Sequence, residues 1–128
     1  MPAEMPDETA GVRERILSRI GTEVTFKYPG TEGDKKGILK DRAVVNSNNE
    51  VGRVPYWDVV DLIEFKEDKE RECIRIGYYR KPKERLIWGS QTTITEPIKV
   101  WKDILLKAAR EKKWFRDLLE GVMDELNR

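Results

Sequence analysis

The sequence predicts an α+β fold: a small antiparallel SH3-like barrel or strongly curled sheet of about five strands, with a short N-terminal helix and a long C-terminal helix, continuous or broken, packed on it. Three observations predict it. Apolar residues alternate in EVTFKY and again in IRIGYY, as they do along half-buried strands. Turn-prone clusters such as PGTEGDKKG, NSNNE and KPKE recur at short intervals between these segments. From Thr95 onward the apolar period changes to that of a helix. The expected organisation is a disordered tail over residues 1–8 and a single domain over 9–128, β-rich across 22–95 and helical across 96–126.

The tail carries two prolines and three acids before Thr9, which suits the cap of a short helix, VRERILSRI. Val12, Ile16, Leu17 and Ile20 share one face of that helix, and Gly21 fits its C-terminal end. EVTFKY follows, with Val24, Phe26 and Tyr28 on one side. PGTEGDKKG reads as a hairpin loop. It is not a phosphate-binding loop, because Gly37 follows Lys36 where Ser or Thr is needed, a strand comes next, and Glu32 and Asp34 would repel phosphate. ILKDRAVV and the residues from Val51 to Tyr56 read as strands joined by NSNNE. The period of WDVVDLIEF is mixed and fits either a strand or a helical turn leading into one. A hairpin around KPKE puts Ile74, Ile76 and Tyr78 on one face of its first arm and Arg75, Tyr79 and Lys81 on the other. Pairing the most apolar faces of the two arms turns Tyr78 and Trp88 inward and leaves Tyr79 displayed. In the helical segment Thr95 is the expected cap, and Trp101, Ile104, Leu105, Ala108, Phe115, Leu119, Val122 and Leu126 form one stripe. Lys112 interrupts that stripe, which favours a break between Arg110 and Lys113.

Composition narrows the chemistry. There is no histidine, so Cys/His zinc sites, Ser-His-Asp hydrolysis and histidine acid-base catalysis are excluded. Cys73 is the only cysteine, so no intrachain disulfide can form and no histidine activates it as a nucleophile. No apolar run is long enough to cross a bilayer, and MPAEMPDETAG has neither the cationic nor the apolar part of a signal peptide, which predicts a soluble, cytoplasmic protein. No cofactor and no catalytic residue is assigned.

Charge is uneven along the chain. The net value is +1, but residues 1–70 sum to −4, residues 71–116 to +8 and residues 117–128 to −3. A phosphate backbone responds to local field, so the basic middle section is the strongest functional signal. Its hairpin combines cations with aromatic rings, the residue types that follow a nucleic-acid strand and stack on its bases. Arg75, Tyr79, Arg80, Lys81, Lys83 and Arg85 form this candidate surface, with Lys113 and Trp114 as a second contact. The expected partner is DNA or RNA, and the expected protein a small non-enzymatic nucleic-acid-binding module. The plainer explanation is a solvated hairpin whose cationic edge discourages strand-to-strand aggregation. Two other functions compete. One is a protein-interaction or homo-oligomer assembly module that uses the amphipathic C-terminal helix to meet another protein or a second copy. The other is a metal-dependent nuclease built from Asp58, Asp61 and Glu64 with Lys66, since carboxylates bind magnesium and an E-x-K triplet places a ligand and a lysine on one side of a strand.

Overall fold

The computed structural model of the protein describes residues 11–26, 35–45, 50–51, 54–66, 71–81, 85–89 and 95–128. The chain forms helix α1 (Val12–Leu17), strands β1 (Glu23–Phe26), β2 (Lys35–Val45), β3 (Glu50–Val51), β4 (Val54–Glu64), β5 (Glu72–Arg80) and β6 (Ile87–Trp88), then helices α2 (Ile98–Glu111) and α3 (Lys113–Leu126). The strand order is β1-β2-β4-β5-β6, with β3 paired to β4 and every pairing antiparallel. These strands curl strongly into a half-barrel, the α+β architecture that the alternation and turn spacing predict. The tail 1–8, the cap Thr9, residues 29–34 of PGTEGDKKG and residues 46–49 of NSNNE lie outside the described residues.

WDVVDLIEF belongs to β4, the central strand, which pairs with β2 on one side and β5 on the other. Both of its faces are covered, so apolar residues fall on both sides and its sequence does not alternate. Val44, Trp57 and Val59 pack with Val12 and Ile16 of α1 on one face. Ala43, Val45 and Val60 pack with Ile104, Ala108, Ala109 and Phe115 on the other, where α2 and α3 lie. A third cluster, Leu39, Ile63 and Phe65 with Val24 and Phe26, fills the space under β1.

The register of β2 against β4 slips between Leu39 and Asp41, leaving Lys40 as an extra residue. Strand parity would put Leu39 and Asp41 on the same face, and the bulge reverses this. Leu39 therefore enters the third cluster, Asp41 turns toward α3, and Arg42 comes opposite Asp61. Lys40 itself points outward to Glu72 at 3.0 Å and Glu64 at 3.5 Å.

The hairpin corrects the expected facing of its aromatics. Tyr79 is the direct partner of Trp88, so these two rings share the α1 face, 4.9 Å apart, while Tyr78 lies on the opposite face against Tyr56. The register decides this, because Arg80 pairs with Ile87 and Tyr79 with Trp88, and the Trp88 ring lies over Gly77 on the same face. A Cβ at Gly77 would collide with that ring, so glycine is needed for the two strands to approach with the indole between them.

The helical segment is broken where Lys112 interrupts the stripe. Lys112 is extended, at φ −125° and ψ 119°, and ends α2 while capping α3. Its ammonium reaches Asp41 at 2.9 Å.

Candidate functional site

Arg42 and Asp61 face each other across β2 and β4, and neither has solvent access beyond 1%. Two buried charges are tolerated only when they are paired and their remaining hydrogen-bonding groups are satisfied. Arg42 meets that condition. Its Nε donates to Asp61 Oδ1 at 2.6 Å and its Nη2 to Oδ2 at 3.0 Å, and its Nη1 donates to the Ile16 carbonyl at 3.0 Å and the Tyr79 hydroxyl at 2.9 Å. Burial works against the guanidinium charge, but the bonds and field of Asp61 outweigh it and raise the Arg42 pKa. Arg75 approaches the same carboxylate from β5, with Nη2 2.9 Å and Nε 3.1 Å from Oδ2. One carboxylate thus serves two guanidiniums, which leaves an excess positive charge in the sheet.

That excess lies at the floor of a cleft of about 580 Å³. Its walls are α1 with the turn after it, β1, and the β5–β6 pair. Arg15 and Arg19 stand at its α1 side, and Arg42, Arg75, Tyr79 and Trp88 at its floor and far wall. The Arg75 guanidinium lies 4.6 Å from the Trp88 ring centre and 5.4 Å from that of Phe26, which holds the cation against the aromatic wall. Ser18, Thr22 and Thr25 add hydroxyls, and Glu23 is the only acid among the described lining residues. Glu23 is itself 3.8 Å from Lys36. Among the described residues, Arg15 and Arg19 have no carboxylate partner.

The residues singled out in the sequence are divided by this geometry. Arg75 and Tyr79 come together in the cleft. Tyr79 is half-buried with its hydroxyl bonded to Arg42, so it forms wall and is not displayed as expected. Arg80 and Arg85 are exposed and Lys81 is half-buried at the end of the same hairpin, next in sequence to cleft residues Tyr79 and Leu86. Lys83 lies outside the described residues. Lys113 and Trp114 belong to α3, on the other layer. Lys113 pairs with Asp117 at 2.7 Å. Trp114 is not an exposed contact: it packs against the α2/α3 core and donates its indole N–H to Asp41 at 2.9 Å. Burial pushes the Asp41 carboxyl up, but the bonds from Trp114 and Lys112 outweigh that and hold it below its ordinary value. Arg15, Arg19, Arg42 and Trp88 were missed as site residues. The sequence signal for the first two is their spacing of four within VRERILSRI, although α1 ends at Leu17 and Arg19 stands in the turn after it.

The carboxylates of the nuclease reading do not converge. Asp58 and Asp61 are three residues apart on one strand and therefore on opposite faces. Asp61 is saturated by arginines, while Asp58 is buried on the α2/α3 side and, among the described residues, has no hydrogen-bond partner for either oxygen. Burial, and then the charge of Glu96, push its pKa up to about 7. Among the described residues, no group of three or more Cys, Asp or Glu side chains could hold a metal ion. No described helix is long and apolar enough to cross a membrane. No family model matches the chain, and no curated protein or solved structure matches it.

Proposed function

We propose that the protein is a non-enzymatic nucleic-acid-binding module that seats a single strand in the cleft between α1, β1 and the β5–β6 hairpin. One observation carries this reading: four arginines converge with Tyr79 and Trp88 on a single cleft with one acid among its described lining residues. Arg15 and Arg19, without a carboxylate partner among the described residues, are the cations available for phosphate, and the Trp88 wall offers an aromatic surface for a base. Arg42 and Arg75 hold the wall in place through Asp61 and keep the floor positive. The strand leaves the cleft along the hairpin end, where Arg80, Lys81 and Arg85 continue the basic track. DNA and RNA share the phosphate and base chemistry on which this rests.

Fluorescence anisotropy with labelled single-stranded DNA and RNA oligonucleotides tests it. Arg15→Ala, Arg19→Ala and Trp88→Phe should each weaken binding, and Lys113→Ala, on the other layer, should leave it unchanged. A mononucleotide that binds as tightly as the oligonucleotide would replace the strand with a small phosphorylated ligand. Binding that ignores Arg15 and Arg19 but falls with Lys113 would move the site to α3 and end the proposal.

A further inference from the structure

Arg75 and Arg42 share Asp61 but differ in what remains free. Arg42 spends Nε, Nη1 and Nη2 on Asp61, the Ile16 carbonyl and the Tyr79 hydroxyl. Arg75 gives Nε and Nη2 to one oxygen of Asp61, and its Nη1, on the edge of the guanidinium away from that carboxylate, has no acceptor among the described residues. The side chain is only 23% exposed, and Asp61 together with the Trp88 and Phe26 rings holds it in place. A held guanidinium with an unused donor edge loses little freedom on binding an anion, and its planar fork matches two oxygens of a phosphate.

The charge of the cleft exceeds what one internal phosphate of a strand requires. Among the described residues, the guanidiniums of Arg15, Arg19, Arg42 and Arg75 are opposed by Glu23 on the wall and Asp61 beneath the floor, so two positive charges remain over. Lys36, 3.8 Å from Glu23, does not lower that remainder. The Ser18 and Thr22 hydroxyls donate to the Arg15 and Arg19 carbonyls, so they do not compete with the arginines as donors. A phosphodiester within a strand carries a single negative charge. A terminal phosphomonoester carries about −1.5 to −2 near neutral pH and presents three acceptor oxygens. The second ligand is the one whose charge matches this remainder, and Arg15, Arg19 and Nη1 of Arg75 are the donors for its oxygens.

Resting on the strand reading above, we propose that the cleft takes the phosphorylated end of a single strand, with the terminal phosphomonoester among Arg15, Arg19 and Arg75 and the terminal base against Trp88. The strand has one way out, along the hairpin end, and its internal phosphates meet the basic residues there. A 5′-phosphate and a 3′-phosphate share this chemistry, and the experiment separates them.

Fluorescence anisotropy with single strands of one sequence, each labelled at the opposite end, compares a 5′-phosphate with a 5′-hydroxyl and a 3′-phosphate with a 3′-hydroxyl. A phosphate at one terminus should tighten binding about tenfold, the scale of a hydrogen bond to a charged group. The last proton of a phosphomonoester leaves near pH ~6, so this preference should grow between about pH 5 and about pH 7. Both strands meet the same protein, so any protein group that titrates in this range acts on both. Arg75→Lys keeps a charge beside Asp61 but loses the Nη1 donors, and should bring the phosphorylated and hydroxyl strands to nearly equal affinity, while Lys113→Ala should retain the preference. Equal affinity for phosphorylated and hydroxyl ends at both termini overturns this inference and leaves the strand reading in place, whereas no binding to any strand ends both. A preference that does not grow with pH overturns it too, as does one that a folded Arg75→Lys variant retains in full. Should that variant fail to fold, the pH comparison on the unaltered protein decides.

Discussion

Asp58 and Asp61 show how differently one sheet treats two like side chains. Asp61 is ionised between Arg42 and Arg75, and removing its charge leaves a buried guanidinium without a counter-ion. Asp61→Asn should therefore cost about 3–5 kcal/mol in urea unfolding, well beyond the effect of an exposed carboxylate. Among the described residues Asp58 has no such partner, and burial, then the charge of Glu96, push its pKa from an ordinary 3.8 up to about 7. The folded state holds this proton more tightly than the unfolded chain does, so the stabilisation is complete below 3.8 and lost as pH rises to about 7. At about 1.4 kcal/mol per unit, this amounts to a few kcal/mol over that window. Asp58→Asn should flatten the decline in urea midpoint between these pH values, whatever it does to the absolute midpoint. Asp41, with its lowered pKa, acts in the opposite sense and at lower pH, where its stabilisation is lost as it protonates. None of this was legible in the sequence, where the two aspartates read as one acidic group. A spacing of three on a strand separates them, but only a firm strand assignment for WDVVDLIEF would have shown it.

The elements were legible where a segment has one covered face. EVTFKY alternates because β1 is an edge strand, and the terminal helices announce themselves through their stripe. β4 was ambiguous because coverage on both faces erases the alternation. The bulge at Lys40 was invisible, since nothing in ILKDRAVV marks an extra residue, yet it is what aims Asp41 at α3 and Arg42 at Asp61. Lys112 did signal a break, because a charged residue inside an apolar stripe must either reach outward or interrupt the helix. The structure shows how the interruption is held: Asp41 accepts from both the Lys112 ammonium and the Trp114 indole, each at 2.9 Å, and so joins the bulged strand to the first turn of α3. Asp41→Ala removes both bonds, and the one Oδ1 accepts from the Arg42 backbone N–H, and leaves a half-buried indole N–H unpaired, which should cost about 1–3 kcal/mol. A thermal unfolding scan measures this. Lys112→Ala, which removes only the more solvated bond, should cost less.

Across the molecule, the +8 of residues 71–116 does not form one surface. Arg75 is drawn into the cleft, Arg80, Lys81 and Arg85 stand at the hairpin end, and the lysines and arginines of α2 and α3 lie on the opposite layer. The sequence located the hairpin as basic and aromatic. It could not reveal that α1 and the turn after it, in the net-negative first section, add Arg15 and Arg19 to the same cleft, because that convergence depends on how the sheet curls. The salt dependence of binding reports which arrangement operates, since each neutralised phosphate of a single strand adds about −0.7 to the slope of log affinity against log salt. A strand held by Arg15, Arg19, Arg80 and Arg85 gives a slope of about −3. A ligand that engaged all thirteen cations of the basic section would give a much steeper slope, about −9 at the same increment. The expected slope is the shallower one, and Arg15→Ala should make it shallower still by about 0.7. A steep slope that Arg15→Ala leaves unchanged would mean that charge on the helical layer, and not the cleft, holds the strand.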